Sequence, residues 1–146
     1  MDYTLDIVVS EKDLSEIGIK EIKFFWDGEE YSHTPRRFET EDSLVLTSFY
    51  STENIVKSNG IDTPVILTST KEVYDLQYTA YCSRDKLNSH NIMKFLKRVS
   101  GLEKFNIYLC GCDELIDYNI KYTGESDISE IIYRAFVDRK SVMIYK

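Results

Sequence analysis

The chain has 146 residues, of which 42% are hydrophobic and 29% charged, and it carries a net charge of −7. That size and balance fit one globular domain spanning 1–146, and two prolines with six glycines exclude an extended linker or low-complexity tract. The acidic balance disfavours duplex DNA or RNA as the main ligand, because binding phosphates requires a positive footprint.

The opening Met1-Asp2-Tyr3-Thr4-Leu5-Asp6 holds two acids and no base, ahead of a three-residue apolar run, Ile7-Val8-Val9. This is neither an export signal nor a membrane span, so no membrane association is expected and the expected compartment is the cytoplasm. Tyr3 to Val9 is predicted as a strand, with Tyr3, Leu5, Ile7 and Val9 on one face. Ile17 to Trp26 is predicted as a second strand, and Asp27-Gly28 matches a two-residue hairpin turn from which Glu29 to His33 pairs back. Leu44 to Tyr50 is predicted as a further strand, rich in β-branched and aromatic residues.

Ser51 is expected to cap a short helix that stops at Asn59-Gly60. Thr63 to Thr70 is predicted as a short strand opened by Pro64. From Tyr74 to Cys82 the residues alternate: Tyr74, Leu76, Tyr78, Ala80 and Cys82 fall on one face, which predicts a strand. Ser89 or Asn88 is expected to start a helix ending at Gly101, with Ile92, Phe95, Leu96 and Val99 as its buried stripe. Phe105 to Cys110 is predicted as a strand and Tyr118 to Tyr122 as another. Ser126 is expected to cap a last helix built on Ile128, Ile131, Ile132, Ala135 and Phe136, and Val142 to Tyr145 makes the final strand. Strands dominate the first half and helices the second, so the expected class is α+β: a mainly antiparallel sheet packed by two or three helices.

Three cysteines, an odd number, do not form a disulfide framework. Cys110 and Cys112 flank a glycine, but a structural zinc site takes four ligands in spaced pairs, so no metal is expected. Glycine-rich phosphate loops and HExxH or EF-hand spacings are absent, and no cofactor is expected. Ser89-His90 are adjacent, yet neighbours on a helix point in different directions, so no catalytic residue is assigned there. His33, in a loop near Glu29 and Glu30, is the remaining candidate base, against its ordinary reading as a solvated histidine.

Charge is the most informative feature. Residues 1–60 hold 13 acids against 6 bases, giving −7, while residues 61–146 hold 12 of each. The excess gathers in Asp27-Gly28-Glu29-Glu30, beside Tyr31, and in Glu39-Thr40-Glu41-Asp42. A second acidic stretch contains Asp113, Glu114, Asp117, Glu125, Asp127 and Glu130, broken only by Lys121. Between the two lies a basic run, Arg84 to Lys104, whose ordinary reading is the solvated face of a helix. Acids keep a small protein soluble, but they also steer a basic partner to its site. Eleven tyrosines add amphipathic contact area of the kind enriched at interfaces.

An acidic α+β chain with these acid-plus-tyrosine segments and no catalytic motif resembles the immunity proteins of bacterial contact-dependent-inhibition and polymorphic-toxin systems. The resemblance lies in overall character, with Asp27-Gly28-Glu29-Glu30-Tyr31 and Glu39-Thr40-Glu41-Asp42 as its most interface-like parts. It implies a basic protein partner, a toxin domain and often a nuclease, whose active site is blocked, and it carries over no residue by position. The charge and tyrosine pattern itself offers Asp27, Glu29, Glu30, Tyr31, Glu39, Glu41, Asp42, Asp113, Glu114, Asp117 and Tyr118 as the expected partner-binding residues. Two other classes stay open: an adaptor with a different partner, and a small enzyme using His33. The number of copies in the working assembly is not encoded in any motif.

Overall fold

The computed structural model describes residues 2–24, 36–40, 45–48, 60–69, 71–111 and 115–146. The strands are β1 (Tyr3–Ser10), β2 (Ile19–Phe24), β3 (Arg36–Thr40), β4 (Val45–Ser48), β5 (Pro64–Ser69), β6 (Asn106–Gly111), β7 (Tyr118–Lys121) and β8 (Val142–Tyr145). The helices are α1 (Lys71–Cys82), α2 (Arg84–Ser89), α3 (Asn91–Ser100) and α4 (Ile128–Val137), with a short 3₁₀ turn at Glu11–Asp13. The fold is α+β. One sheet runs β2-β3-β4-β5-β1-β6-β8-β7. Among the described residues every pairing is antiparallel except β7 with β8, which α4 connects as a βαβ unit.

β1 lies inside the sheet, paired with β5 on one side and β6 on the other, and one of its faces is apolar throughout. Tyr3, Leu5, Ile7 and Val9 face the helices, and register sets Ile7 opposite Leu67 on one side and Ile107 on the other. Val8 points the opposite way into a smaller cluster with Ile61, Ile66 and Tyr108. The expected stripe of α3 is buried, with Met93 added to Ile92, Phe95, Leu96 and Val99. Burying each such side chain contributes roughly 2 kcal/mol. Tyr3 binds the two ends of the fold together. Its ring meets Phe136 edge-on at 5.0 Å, and its hydroxyl reaches the carbonyls of Ala135 at 3.2 Å and Lys140 at 3.0 Å.

Three expectations are corrected. Residues 74–82 are not a strand but most of α1, because the buried set is Val73, Leu76, Gln77 and Ala80, spaced as i, i+3, i+4 and i+7. The alternation had credited Tyr74 and Tyr78 to the packed face, and both stand outside at 67% and 65% exposure. Gln77 hides in the stripe because its amide donates to the Tyr81 hydroxyl at 3.1 Å. The helix from Asn88 or Ser89 begins later: a separate α2 precedes it, and His90 is the N-cap of α3, its Nδ1 accepting the Ile92 N–H at 3.1 Å. Asp127 rather than Ser126 caps α4, accepting the Ser129 N–H at 3.1 Å, an arrangement worth about 1 kcal/mol. The expected hairpin at Asp27-Gly28 with its return at Glu29–His33, and the helix from Ser51, lie outside the described residues.

Candidate partner-binding surface

β7 is an edge strand of the sheet, and its approach is built by Asp117 and Ser141. The Ser141 N–H donates to Asp117 Oδ2 at 2.8 Å, and the Ser141 carbonyl accepts the N–H groups of Asp117 at 2.8 Å and Tyr118 at 3.3 Å. Ser141 Oγ accepts the Gly111 N–H at 2.8 Å, so one buried serine joins the end of β6 to the starts of β7 and β8. This clamp fixes the backbone at Asp117 and Tyr118, where β7 begins. Leu115 is 71% exposed, Ile116 37% and Tyr118 54%.

On the helix side, Tyr118 and Ile120 of β7 form one wall of a groove whose other wall is Ile131 and Arg134 of α4, with Val142 between them. The groove holds about 240 Å³, room for one or two side chains and too little for a drug-sized ligand. Glu130, at its rim, is paired with both Arg84 and Arg134, and the Arg84 guanidinium sits 5.2 Å from the Tyr133 ring centre. Glu130 and Arg134 are therefore paired with each other at the rim, where Asp138 and Lys140 also stand. Exposed large apolar side chains grouped at a sheet edge mark an interaction surface more than isolated ones do.

Of the acids and tyrosines expected at the interface, Asp117 and Tyr118 come together here. Glu39 lies far across the sheet on β3, where register sets it opposite Glu21. Asp27, Glu29, Glu30, Tyr31, Glu41, Asp42, Asp113 and Glu114 lie outside the described residues, as do His33 and Cys112. Asp113 and Glu114 nevertheless immediately precede Leu115 in the chain. The exposure of Leu115 and Ile116 was not anticipated, although two apolar residues inside an acidic run ahead of a short strand were a usable signal.

A second concavity, of about 560 Å³, gathers Asp13, Glu16, Asp62 and Glu103 with Lys12 and Lys104. These residues come from three distant stretches of sequence, so no local pattern announces them. The outer face of α1 carries Tyr74 and Tyr78, and a hydrogen bond to the Cys82 thiol is the main cause holding the Tyr78 hydroxyl protonated above its usual range. Tyr81 is half-exposed, and its hydroxyl donates to the Phe136 carbonyl at 3.2 Å, tying α1 to α4. Tyr122 is half-buried against Phe105, at 5.9 Å between ring centres.

His90 Nε2 lies 2.8 Å from the Asp75 carboxylate while Nδ1 caps α3. Both ring nitrogens are thus occupied by structural bonds. The adjacent Ser89 hydroxyl donates to the Lys86 carbonyl at 3.0 Å rather than to the imidazole. Among the described residues, no three His, Cys, Asp or Glu side chains are grouped to hold a metal ion, and no helix is long and apolar enough to cross a membrane. Comparison with protein-family models, with curated proteins and with solved structures gives no match.

Proposed function

We propose that this protein acts by binding a basic protein partner in the cytoplasm, and that the partner is a toxin domain whose active site it covers. The observation that carries the reading is the exposed trio Leu115, Ile116 and Tyr118, set inside the acidic run on either side of Asp117, which is bonded to Ser141. Apolar and aromatic side chains supply the desolvated centre of an interface, and surrounding acids supply steering and register. Against a nuclease, the carboxylates would occupy positions otherwise taken by substrate phosphates, with Tyr118 as the aromatic anchor. The mechanism is occlusion, and it asks no chemistry of this chain.

The test is a calorimetric titration against the protein encoded by the adjacent gene. Tight binding that weakens as salt rises is expected, because steering between exposed charges is screened. The triple variant Leu115→Ser, Ile116→Ser, Tyr118→Ser should lose about a hundredfold or more in affinity if these are central contacts. Affinity unchanged in the triple variant, or no binding of a basic partner at all, contradicts the reading.

A further inference from the structure

We infer that the outer edge of β7 accepts one more strand, supplied by an extended basic segment of the partner. This rests on the partner-binding reading above and adds the mode of contact. The first argument is the direction of the backbone groups. In a parallel pair, successive residues turn their N–H and C=O alternately toward and away from the neighbouring strand. The Tyr118 N–H reaches the Ser141 carbonyl and the Tyr122 N–H reaches the Tyr145 carbonyl at 2.8 Å. Asn119 and Lys121 therefore direct their peptide groups away from β8, and among the described residues no strand lies beyond β7. An edge of this kind is a template for pairing with another chain.

The second argument is the groove. Side chains of an added strand that point to the helix face would pass alongside Tyr118 and Ile120 toward Ile131, where about 240 Å³ is open. A medium apolar side chain fits that space. Residues that point to the opposite face would lie beside Asn119 and Lys121. Strand addition thus gives affinity through the backbone and selectivity through alternate side chains.

The third argument, charge, selects the occupant. Between Asp113 and Asp127 the chain has five acids and one base, Lys121, at the far end of the strand. In the sequence the acids stand ahead of and at the start of the strand, with Asp113 and Glu114 directly before Leu115 and Asp117 directly before Tyr118. A second copy of this chain would bring two such acidic flanks together on molecules each carrying −7, which like-charge repulsion opposes. A segment alternating apolar and basic residues matches both the groove and the charge.

The experiment uses the full chain and two short synthetic peptides alternating valine and lysine. One has an ordinary backbone; the other is N-methylated at every second residue, which keeps charge and side chains but removes the strand-forming donors. Binding is followed by nuclear magnetic resonance. The ordinary peptide should bind at least about tenfold more tightly than the methylated one, the difference expected from losing two or more backbone hydrogen bonds. The Asn119 and Lys121 amides should gain protection from exchange in the same titration. Equal affinity for both peptides overturns strand addition while leaving a charged, apolar contact surface intact. If neither peptide binds, the edge does not select a basic strand and the inference falls, while the triple-variant titration still decides the binding reading. Self-association that buries the Asn119 and Lys121 amides without peptide also overturns it, assigning the edge to a second copy.

Discussion

Asp117 and Ser141 hold each other by two bonds: the Ser141 N–H donates to the Asp117 side chain at Oδ2 and the Asp117 N–H donates to the Ser141 carbonyl, each at 2.8 Å. Asp117 therefore serves the fold as well as the acidic surface, and the two roles separate by substitution. Asp117→Asn keeps an acceptor for Ser141 and should change stability by less than about 0.5 kcal/mol, whereas Asp117→Ala should cost about 1 kcal/mol. Ser141→Ala leaves the buried Gly111 N–H without its acceptor and should cost about 2 kcal/mol. Urea unfolding of the three variants checks the order. Equal stabilities for all three would remove the clamp from the account.

Thr63 offers a prediction of the opposite sign. It sits at φ 44°, in the left-handed region that a β-branched residue rarely adopts, just before Pro64 and with its carbonyl accepting the Glu11 N–H at 3.0 Å. Its side chain is exposed, so little packing is lost on removal. Thr63→Gly should stabilise the protein by roughly 1 kcal/mol, read as a rise in the thermal midpoint. A fall would mean that the threonine side chain makes a contribution larger than the strain.

Tyr108 makes stability depend on alkaline pH. Burial among Val8, Ile61 and Ile66 is the main cause that pushes its hydroxyl above the usual tyrosine range of about 10. The folded state then holds the proton more strongly than the unfolded state. The associated stability is fully present below the unfolded value and is lost as pH rises through the folded one. Tyr108→Phe cannot titrate, so its stability should fall less steeply than that of the wild type above pH about 10. Parallel pH profiles for the two proteins would contradict the upward shift of the half-buried hydroxyl.

Much of this fold was legible in the sequence because its strongest periodicities are local. β1, β5, β6 and β8 read as strands from continuous or alternating apolar residues, and α3 and α4 from apolar residues at helical spacing. α1 was misread for a physical reason: its buried stripe includes the polar Gln77, satisfied by Tyr81, while two tyrosines face outward. A pattern reader assigns those residues the other way round. The parallel pairing of β7 with β8 depends on Ser141 and Asp117 meeting across 24 residues, which no short window reveals. The candidate surface was half legible. Asp117 and Tyr118 stood out by charge and aromaticity, but the exposure of Leu115 and Ile116 follows only from the strand lying at an edge. The gathering of Asp13, Glu16, Asp62 and Glu103 around one groove is a product of topology alone.

Neutralising the first acidic segment provides a comparison between surfaces. Replacing Glu29, Glu30, Glu41 and Asp42 together by their amides should lower the rate of association with a basic partner without changing the fold. The effect should shrink as salt is added. An unchanged association rate at low salt would leave partner recognition to Leu115–Tyr118 and its neighbours.

The most direct measurement is hydrogen exchange on this protein in the presence of whatever protein the adjacent gene encodes. The account predicts new protection concentrated at residues 115–122, including the outward amides of Asn119 and Lys121. Protection confined instead to the Tyr74 and Tyr78 face of α1, with 115–122 exchanging as in the isolated protein, would contradict it.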